Sequence, residues 1–184
     1  MTSSPSRKKI RKLSFQEIQE KKPSVEQVKK SDRTPIYALL ENIRSLHNVG
    51  AIFRTSDAVN LEKLYLCGFT GSPPRNEITK TALGAEEVVP WEHHDDAIKL
   101  VKDLKAQGVK VVAVELCEGA FNYADADYDF PVCFVFGHEV EGISDELIEH
   151  CDMAVQLPML GRANSLNVAT CYGIIVYDAL KKLS

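Results

Sequence analysis

The sequence has no apolar run long enough to cross a bilayer, and its first residues lack the apolar core of a secretory signal. Its five cysteines are scattered without a Cys-x-x-Cys pair, which argues against a disulfide framework and against a thiolate metal site. The adjacent histidines His93 and His94 have no carboxylate or cysteine partners at metal-ligand spacing. We therefore expect a cytoplasmic protein that binds no metal and contacts no membrane.

Three common motifs of nucleotide binding and nucleophilic catalysis are also absent. The chain contains no GxGxxG fingerprint and no GxxxxGK[ST] phosphate loop, so neither dinucleotide binding nor P-loop chemistry is indicated. It contains no GxSxG elbow, which argues against an α/β-hydrolase. The functional residues must therefore be sought elsewhere.

The formal charge of −4 is distributed unevenly along the 184 residues. Residues 1–33 hold ten Lys and Arg against four acids, a charge of +6, which leaves −10 for the remainder. A basic arm on an acidic body suits a polyanionic partner, although a solvated leader without a partner gives the same pattern. We interpret residues 1–33 as a flexible leader with a helical stretch around Phe15–Lys30, and residues 34–184 as one domain.

Short apolar runs alternate with amphipathic segments from Ile36 onward. The runs predict strands at Tyr37–Leu40, Lys63–Cys67, Val88–Pro90, Lys110–Glu115, Val132–Phe136 and Ala154–Leu157. The segments between and after them predict helices at Val49–Val59, Glu77–Leu83, Asp95–Gln107, Ser144–His150 and Leu166–Leu180. Apolar strands separated by helices predict an α/β fold with a mostly parallel sheet that helices cover on both faces.

Ligands of such open sheets bind beyond the carboxyl ends of the strands. Three strand ends here are rich in polar residues and glycine, and the first of them covers residues 41–54. In this segment Asn48 has the residue type of a helix N-cap. The helix after it should bury one face against the sheet, a face formed by Ile52, Phe53, Ser56 and Val59. Arg54 points away from that face, close to the strand ends.

The second polar segment covers residues 136–144, where a buried strand runs directly into Gly137. Because glycine has no Cβ, we expect a ligand to approach the backbone closely at this position. Glu139 could orient a polar group or cap the helix that starts near Ser144.

The third polar segment covers residues 157–167 and leads into the last predicted helix. Ser165 has the residue type of an N-cap for that helix. Apolar residues cover nearly the whole circumference of Leu166–Leu180, which predicts burial on two sides. The sheet supplies one side, and in a domain of this size a second subunit is the natural other.

Together the three segments resemble the motifs of the SpoU family of RNA ribose methyltransferases, within the superfamily of knotted methyltransferases. The resemblance extends over about residues 37–180. Its motifs occur in the family's order at residues 48–54, at residues 136–142, and at residues 157–159 with 165–167. It implies a C-terminal trefoil knot, S-adenosylmethionine as the methyl donor, and tRNA or rRNA as the substrate. Members usually carry an extra RNA-binding domain, whereas this chain has only the basic leader.

The resemblance also implies residue roles. Arg54 would act on the ribose hydroxyl, either as the base or as an electrostatic and positioning group. The supporting polar residues would be Asn48, Glu139, Ser165 and Asn167, with the last two near the methyl donor. The donor's adenine would lie in the knot against Leu116, Gly137, Leu157, Met159 and Leu166.

Two alternatives remain at this point. The chain could methylate a base, as other knotted methyltransferases do, or it could be a catalytically silent RNA-binding module on the same fold. The position of Arg54 in the first motif favours ribose. The presence of Arg54, Glu139, Ser165 and Asn167 favours an enzyme, since a module that only binds RNA needs no donor pocket.

Overall fold

The computed structural model describes residues 10–183, which fall into two compact units that divide between Ser31 and Asp32. In the first unit lie the helices α1 (Phe15–Lys21) and α2 (Val25–Lys30), instead of the single stretch predicted there. Ser14 and Ser24 each begin one of these helices with a capping box. Pro23 lies between the helices and cannot donate a backbone hydrogen bond, so one continuous helix is disfavoured.

The second unit contains a sheet of seven parallel strands in the order β3-β2-β1-β6-β4-β7-β5. The strands are β1 (Thr34–Glu41), β2 (Leu61–Cys67), β3 (Trp91–His94), β4 (Lys110–Val114), β5 (Phe121–Asn122), β6 (Val132–Phe136) and β7 (Met153–Gln156). The helices of this unit are α3 (Leu46–Ala58), α4 (Asn76–Ala82), α5 (Ala97–Ala106), α6 (Asp145–Ile148) and α7 (Val168–Leu183). The predicted α/β class with a mostly parallel sheet is confirmed.

Helices cover both faces of the sheet. On one face, Leu100 and Leu104 of α5 and Leu147 of α6 pack in a buried cluster with strand residues such as Val111 and Val135. On the other face lie α3 and α7, which contact each other, and these helices also contact β2 and β1. All five residues of β6 are buried, as expected for a central parallel strand. No helix of the described residues has the length and apolar character required to span a membrane.

At the margins of the sheet one predicted strand is absent and a short strand was missed. The strand predicted at Val88–Pro90 is absent, because a 3₁₀ turn at Ala85–Glu87 continues into this segment and Val89 N donates to the carbonyl of Ala85. Pairing with β2 begins only at Pro90, whose carbonyl accepts from Leu64 N at 2.9 Å, and β3 follows from Trp91. The short strand β5 was not predicted, since its two residues are exposed.

The last helix is held to α3 by a buried pair of hydroxyl groups. Ser56 Oγ donates to the Ile52 carbonyl at 2.8 Å, so the fully buried Tyr172 hydroxyl is the donor toward Ser56 Oγ. The Tyr172 ring also lies 5.2 Å from that of Phe136 on β6. These contacts fix α7 across α3 and the centre of the sheet.

The predicted all-round burial of the last helix does not occur in the single chain. Its buried residues Tyr172, Ile175, Val176 and Ala179 form one face. On other sides Ile174 is half-buried and Tyr177 is 51% exposed. The outer side of α7 is therefore partly apolar and uncovered within one chain.

We expect Ser56→Ala to destabilise the protein more than Tyr172→Phe. The first change leaves a buried hydroxyl without an acceptor and should lower the free energy of unfolding by about 1–3 kcal/mol. The second removes the donor and should cost about 1 kcal/mol, because Ser56 keeps its bond to the Ile52 carbonyl. Urea unfolding followed by circular dichroism measures both, with Tyr177→Phe on the exposed side of α7 as the control. Equal losses would contradict the assigned direction of the hydrogen bond.

Candidate functional site

A cavity of about 450 Å³ lies at the carboxyl ends of β4, β6 and β7, which are neighbours in the sheet. This volume lies within the usual range for small-molecule sites. The cavity is lined by Val114, Glu115, Leu116, Phe136, Gly137, His138, Glu139, Val140, Gly142, Gln156, Leu157, Met159, Asn164, Ser165, Leu166, Asn167, Val168 and Cys171. Its walls combine apolar side chains with carboxylate, amide and hydroxyl groups.

The cavity brings together most of the residues that the sequence predicted for a site. Eight of them line it: Leu116, Gly137, Glu139, Leu157, Met159, Ser165, Leu166 and Asn167. Asn48 lies next to it, hydrogen-bonded to both Glu139 and Asn167. Arg54 does not line the cavity.

Gly137 is needed for a reason other than the one the sequence indicated. A Cβ at this position would overlap the backbone of Gly142 and Ile143. Here the chain returns on itself, with His138 N donating to the Gly142 carbonyl at 3.0 Å and Gly142 N donating back at 2.9 Å. The glycine therefore permits close packing of backbone on backbone, which shapes the cavity wall.

Glu139 holds the beginning of α3. Its carboxylate accepts hydrogen bonds of 3.0 Å each from Arg44 N, Ser45 N and Asn48 Nδ2. Partial burial would raise the pKa of the Glu139 carboxyl, but the amide hydrogen bonds from Arg44 and Ser45 outweigh it and lower the pKa. The carboxylate is thus an anion bound to a helix N-terminus, the position where negative charge is favoured. It does not cap α6, the alternative considered from the sequence.

Asn48 is not the N-cap that the sequence predicted. The helix begins at Leu46, and Ser45 is its N-cap, with Ser45 Oγ accepting from Asn48 N at 3.3 Å. The Asn48 side chain is therefore available to neighbouring loops. Its Nδ2 donates to Glu139, and its Oδ1 accepts from Asn167 Nδ2 at 3.1 Å.

The N-cap predicted for the last helix is also displaced. Ser165 is exposed and precedes the helix by three residues. Asn167 takes the capping role, because its Oδ1 accepts from Ala169 N at 3.0 Å and Thr170 N at 3.3 Å. Ser165 consequently lines the cavity with a hydroxyl that no helix terminus uses.

Two carboxylates at strand ends were missed from the sequence. Glu115 follows β4 and accepts from Leu116 N at 2.8 Å and Ile143 N at 3.0 Å. Glu41 ends β1, is 7% exposed, and accepts from Ser144 N at 2.8 Å and Ser144 Oγ at 2.6 Å. An acidic residue at the end of an apolar strand was the available signal.

Arg54 is exposed on α3, while Ile52, Phe53 and Ser56 of the same helix are fully buried, as predicted. Within the described part of the chain, its guanidinium group has no hydrogen bond or ion pair. The described residues also include no group of three or more His, Cys, Asp or Glu that could hold a metal ion.

Comparison with known proteins agrees with this geometry. The sequence model of the SpoU rRNA Methylase family matches residues 35–177. A tRNA (guanosine(18)-2'-O)-methyltransferase of Thermus thermophilus is 33% identical over 158 residues, which are 86% of this chain and 80% of the relative.

Two solved structures have a similar fold. The tRNA modifying enzyme TrmH/SpoU of Aquifex aeolicus has a TM-score of 0.77 at 31% identity, over 86% of this chain and 80% of that one. The AdoMet-bound rRNA methyltransferase of Sinorhizobium meliloti also has a TM-score of 0.77, at 29% identity, over 85% of this chain and 60% of that one. Since the family's sequence model and the Thermus thermophilus relative both match most of its length, this chain belongs to the SpoU rRNA Methylase family.

Proposed function

We propose that this chain transfers a methyl group from S-adenosylmethionine to the 2′-hydroxyl of a ribose in tRNA or rRNA. The observation that carries the proposal is the hydrogen-bonded chain Asn167–Asn48–Glu139, which joins the loops after β7 and β6 to the first turn of α3 beside the cavity. Family membership and the 2'-O-methyltransferase name of the Thermus thermophilus relative support ribose over a base as the target. They also support an active enzyme over a silent RNA-binding module.

The cavity residues suit S-adenosylmethionine, the molecule that the Sinorhizobium meliloti structure contains. The apolar side chains of Leu116, Leu157, Met159 and Leu166 would bind the adenosine moiety, and Gly137 would contribute backbone. When bound, this donor would supply an electrophilic methyl group: the ribose oxygen would form the new bond to the methyl carbon while the bond from carbon to the sulfonium sulfur breaks and S-adenosylhomocysteine leaves. Ser165 and Asn167 would orient the reacting groups, because both residues line the same cavity.

Arg54 is the residue we assign to the ribose hydroxyl. A guanidinium group stays charged and donates several hydrogen bonds in one plane, so it would stabilise the negative charge that develops on the ribose oxygen as the hydroxyl proton passes to solvent water. The same planar set of donors fits the adjacent phosphate. This electrostatic role requires no transfer of a proton from the hydroxyl to arginine.

The absence of Arg54 from the residues that line the cavity supports a homodimer. No residue of α3 lines the cavity of a single chain, so the reacting groups are incomplete there. A second copy packed on the uncovered side of α7 would bring its own α3 toward this site. The half-buried Ile174 and the exposed Tyr177 offer apolar surface for that contact.

We also propose the C-terminal trefoil knot of the knotted methyltransferases. The strand β7 lies beyond β4, on the side of the sheet away from β1. The helix that follows it nevertheless packs against β1 and α3. The chain between them must recross the strand ends, and this path supports threading through a loop.

The basic leader would gather RNA by electrostatic attraction, in the cytoplasm. Arg33 does not share this role, because its guanidinium group donates to the Leu61 carbonyl at 3.1 Å and the Val88 carbonyl at 2.9 Å. The basic residues that we assign to gathering RNA therefore precede Arg33. All five cysteines lack a disulfide partner, which supports a reducing compartment.

Arg54→Ala should lower methyl transfer roughly 100-fold or more at saturating RNA, since it removes a donor to the developing charge. Arg54→Lys separates simple screening of RNA charge from direct action on the ribose hydroxyl. Lysine keeps the positive charge but lacks the planar set of donors, so the Arg54→Lys enzyme should transfer methyl groups nearly as slowly as Arg54→Ala if Arg54 directs the hydroxyl. Initial rates with labelled donor measure the transfer, and calorimetry should find unchanged donor affinity. Lys102→Ala, at an exposed position on α5, is the control, and a fully active Arg54→Ala enzyme would refute the assignment.

Ile174→Asp should convert the dimer into monomers that remain folded, because it places an unpaired charge in the proposed interface. Ile175→Asp should instead unfold the protein, since Ile175 is fully buried within one chain. Sedimentation velocity at micromolar concentration separates these outcomes, with the exposed Leu83→Asp as the control. A monomeric wild-type protein would contradict the dimer.

Deletion of residues 1–31 should weaken RNA binding and flatten its salt dependence, because fewer counterions are released. Replacing Lys21, Lys22, Lys29 and Lys30 with Gln should have a similar but smaller effect while the capped helices persist. Filter binding over a salt series measures the slope, and donor affinity is the control. An unchanged slope would show that the leader does not gather RNA.

A further inference from the structure

The loop after β2 presents an aromatic ring to solvent beside the site. Phe69 is 63% exposed, although its backbone is firmly held. Phe69 N donates to Asn42 Oδ1 at 3.2 Å. The next residue, Thr70, is buried, and its hydroxyl donates to the Leu40 carbonyl and accepts from Ile43 N, each at 3.0 Å. The ring is therefore exposed on a rigid support and not on a loose loop.

The Phe69 ring lies next to the cavity. It meets the ring of His138 edge to face, with the centroids 6.0 Å apart and the planes at 80°. His138 is itself fixed, because its Nδ1 lies within hydrogen-bond distance of Val140 N at 3.2 Å and Glu141 N at 3.1 Å. Since His138 lines the cavity and precedes Glu139, Phe69 stands at the rim of the proposed active site.

Two arginines without a carboxylate partner in the described residues belong to the loops after β1 and β2, which the bond between Phe69 N and Asn42 joins. Arg44 is exposed, and its backbone N is held by Glu139 at 3.0 Å. Arg75 lies near Gly71, in the same loop as Phe69. Its Cδ would be 3.6 Å from the Cβ of a residue larger than glycine at position 71. Within the described part of the chain, neither guanidinium group has a hydrogen bond or ion pair. Residues 34–184 carry a net charge of −10, so unpaired cations on the same two loops as an exposed aromatic ring favour a polyanionic ligand there.

We propose that Phe69 is a stacking platform for an unpaired base of the RNA substrate, with Arg44 and Arg75 on its adjacent phosphates. The inference rests on the proposed function for the identity of the ligand as RNA. Unstacked bases in loops commonly stack on aromatic side chains, and each such contact contributes substantially to affinity for any base. A base held at the rim would place a neighbouring ribose near Glu139 and the cavity.

The test is steady-state methyl transfer to RNA prepared from cells that lack this gene. Phe69→Leu keeps apolar volume but removes the stacking face, so it should raise the KM for RNA roughly tenfold or more. The kcat at saturating RNA and the affinity for S-adenosylmethionine should stay within about twofold, since stacking only holds the substrate. Phe121→Leu is the matched control, because Phe121 is 56% exposed at the far edge of the sheet.

A second variant gives a readout independent of activity. Phe69→Trp should keep the KM for RNA near the wild-type value, and its new indole fluorescence should be quenched by RNA without donor. The wild-type protein supplies the background, since Trp91 is its single tryptophan. An unchanged KM in folded Phe69→Leu protein, or RNA binding that leaves the new indole unquenched, would overturn the proposal. If the wild-type chain methylates no RNA, the proposed function fails instead, and the quenching still tests stacking.

Discussion

The site depends on carboxylates that bind backbone amides where the strands end. Glu139 accepts two amides and the Asn48 side chain, Glu41 binds Ser144, and Glu115 binds two further amides. Each carboxylate joins loops that are distant in sequence, and hydrogen bonds from amides to an anion are stronger than those between neutral groups. The loops around the cavity are therefore held in place by the protein alone. Such preorganisation lowers the cost of arranging two substrates in line.

These hydrogen-bonded carboxylates also help to explain how a domain of negative net charge can bind an RNA substrate. Glu41 is buried, and the carboxylates of Glu115 and Glu139, although they line the cavity, accept hydrogen bonds from backbone amides that partly offset their charges. The arginines at the same edge, Arg44 and Arg75, keep their guanidinium groups unpaired within the described chain, and so does Arg54 on α3. The net charge of −10 thus describes the whole body and not the local surface.

Much of the fold could be predicted from the sequence, because burial on both faces leaves continuous apolar runs. The bounds of β6 at Val132–Phe136 were predicted without error, and those of α3 and α7 within three residues. The caps could not be predicted, because Ser45, Asn48, Ser165 and Asn167 all have suitable side chains and only tertiary partners choose among them. The contact of Gly137 with a returning loop and the exposed strand β5 likewise depend on distant segments.

The site joins two halves of the chain that contribute different groups. The cavity is built from the loops after β4, β6 and β7, whereas Arg44 and Phe69 belong to the loops after β1 and β2. Asn48 connects them, since its amide group bonds Glu139 on one side and Asn167 on the other. Displacing the loop that carries Asn167 would break this bond and disturb the start of α3. The cavity loops and the first turn of α3 are therefore joined by one hydrogen-bonded chain, so neither can move far without breaking a bond to the other.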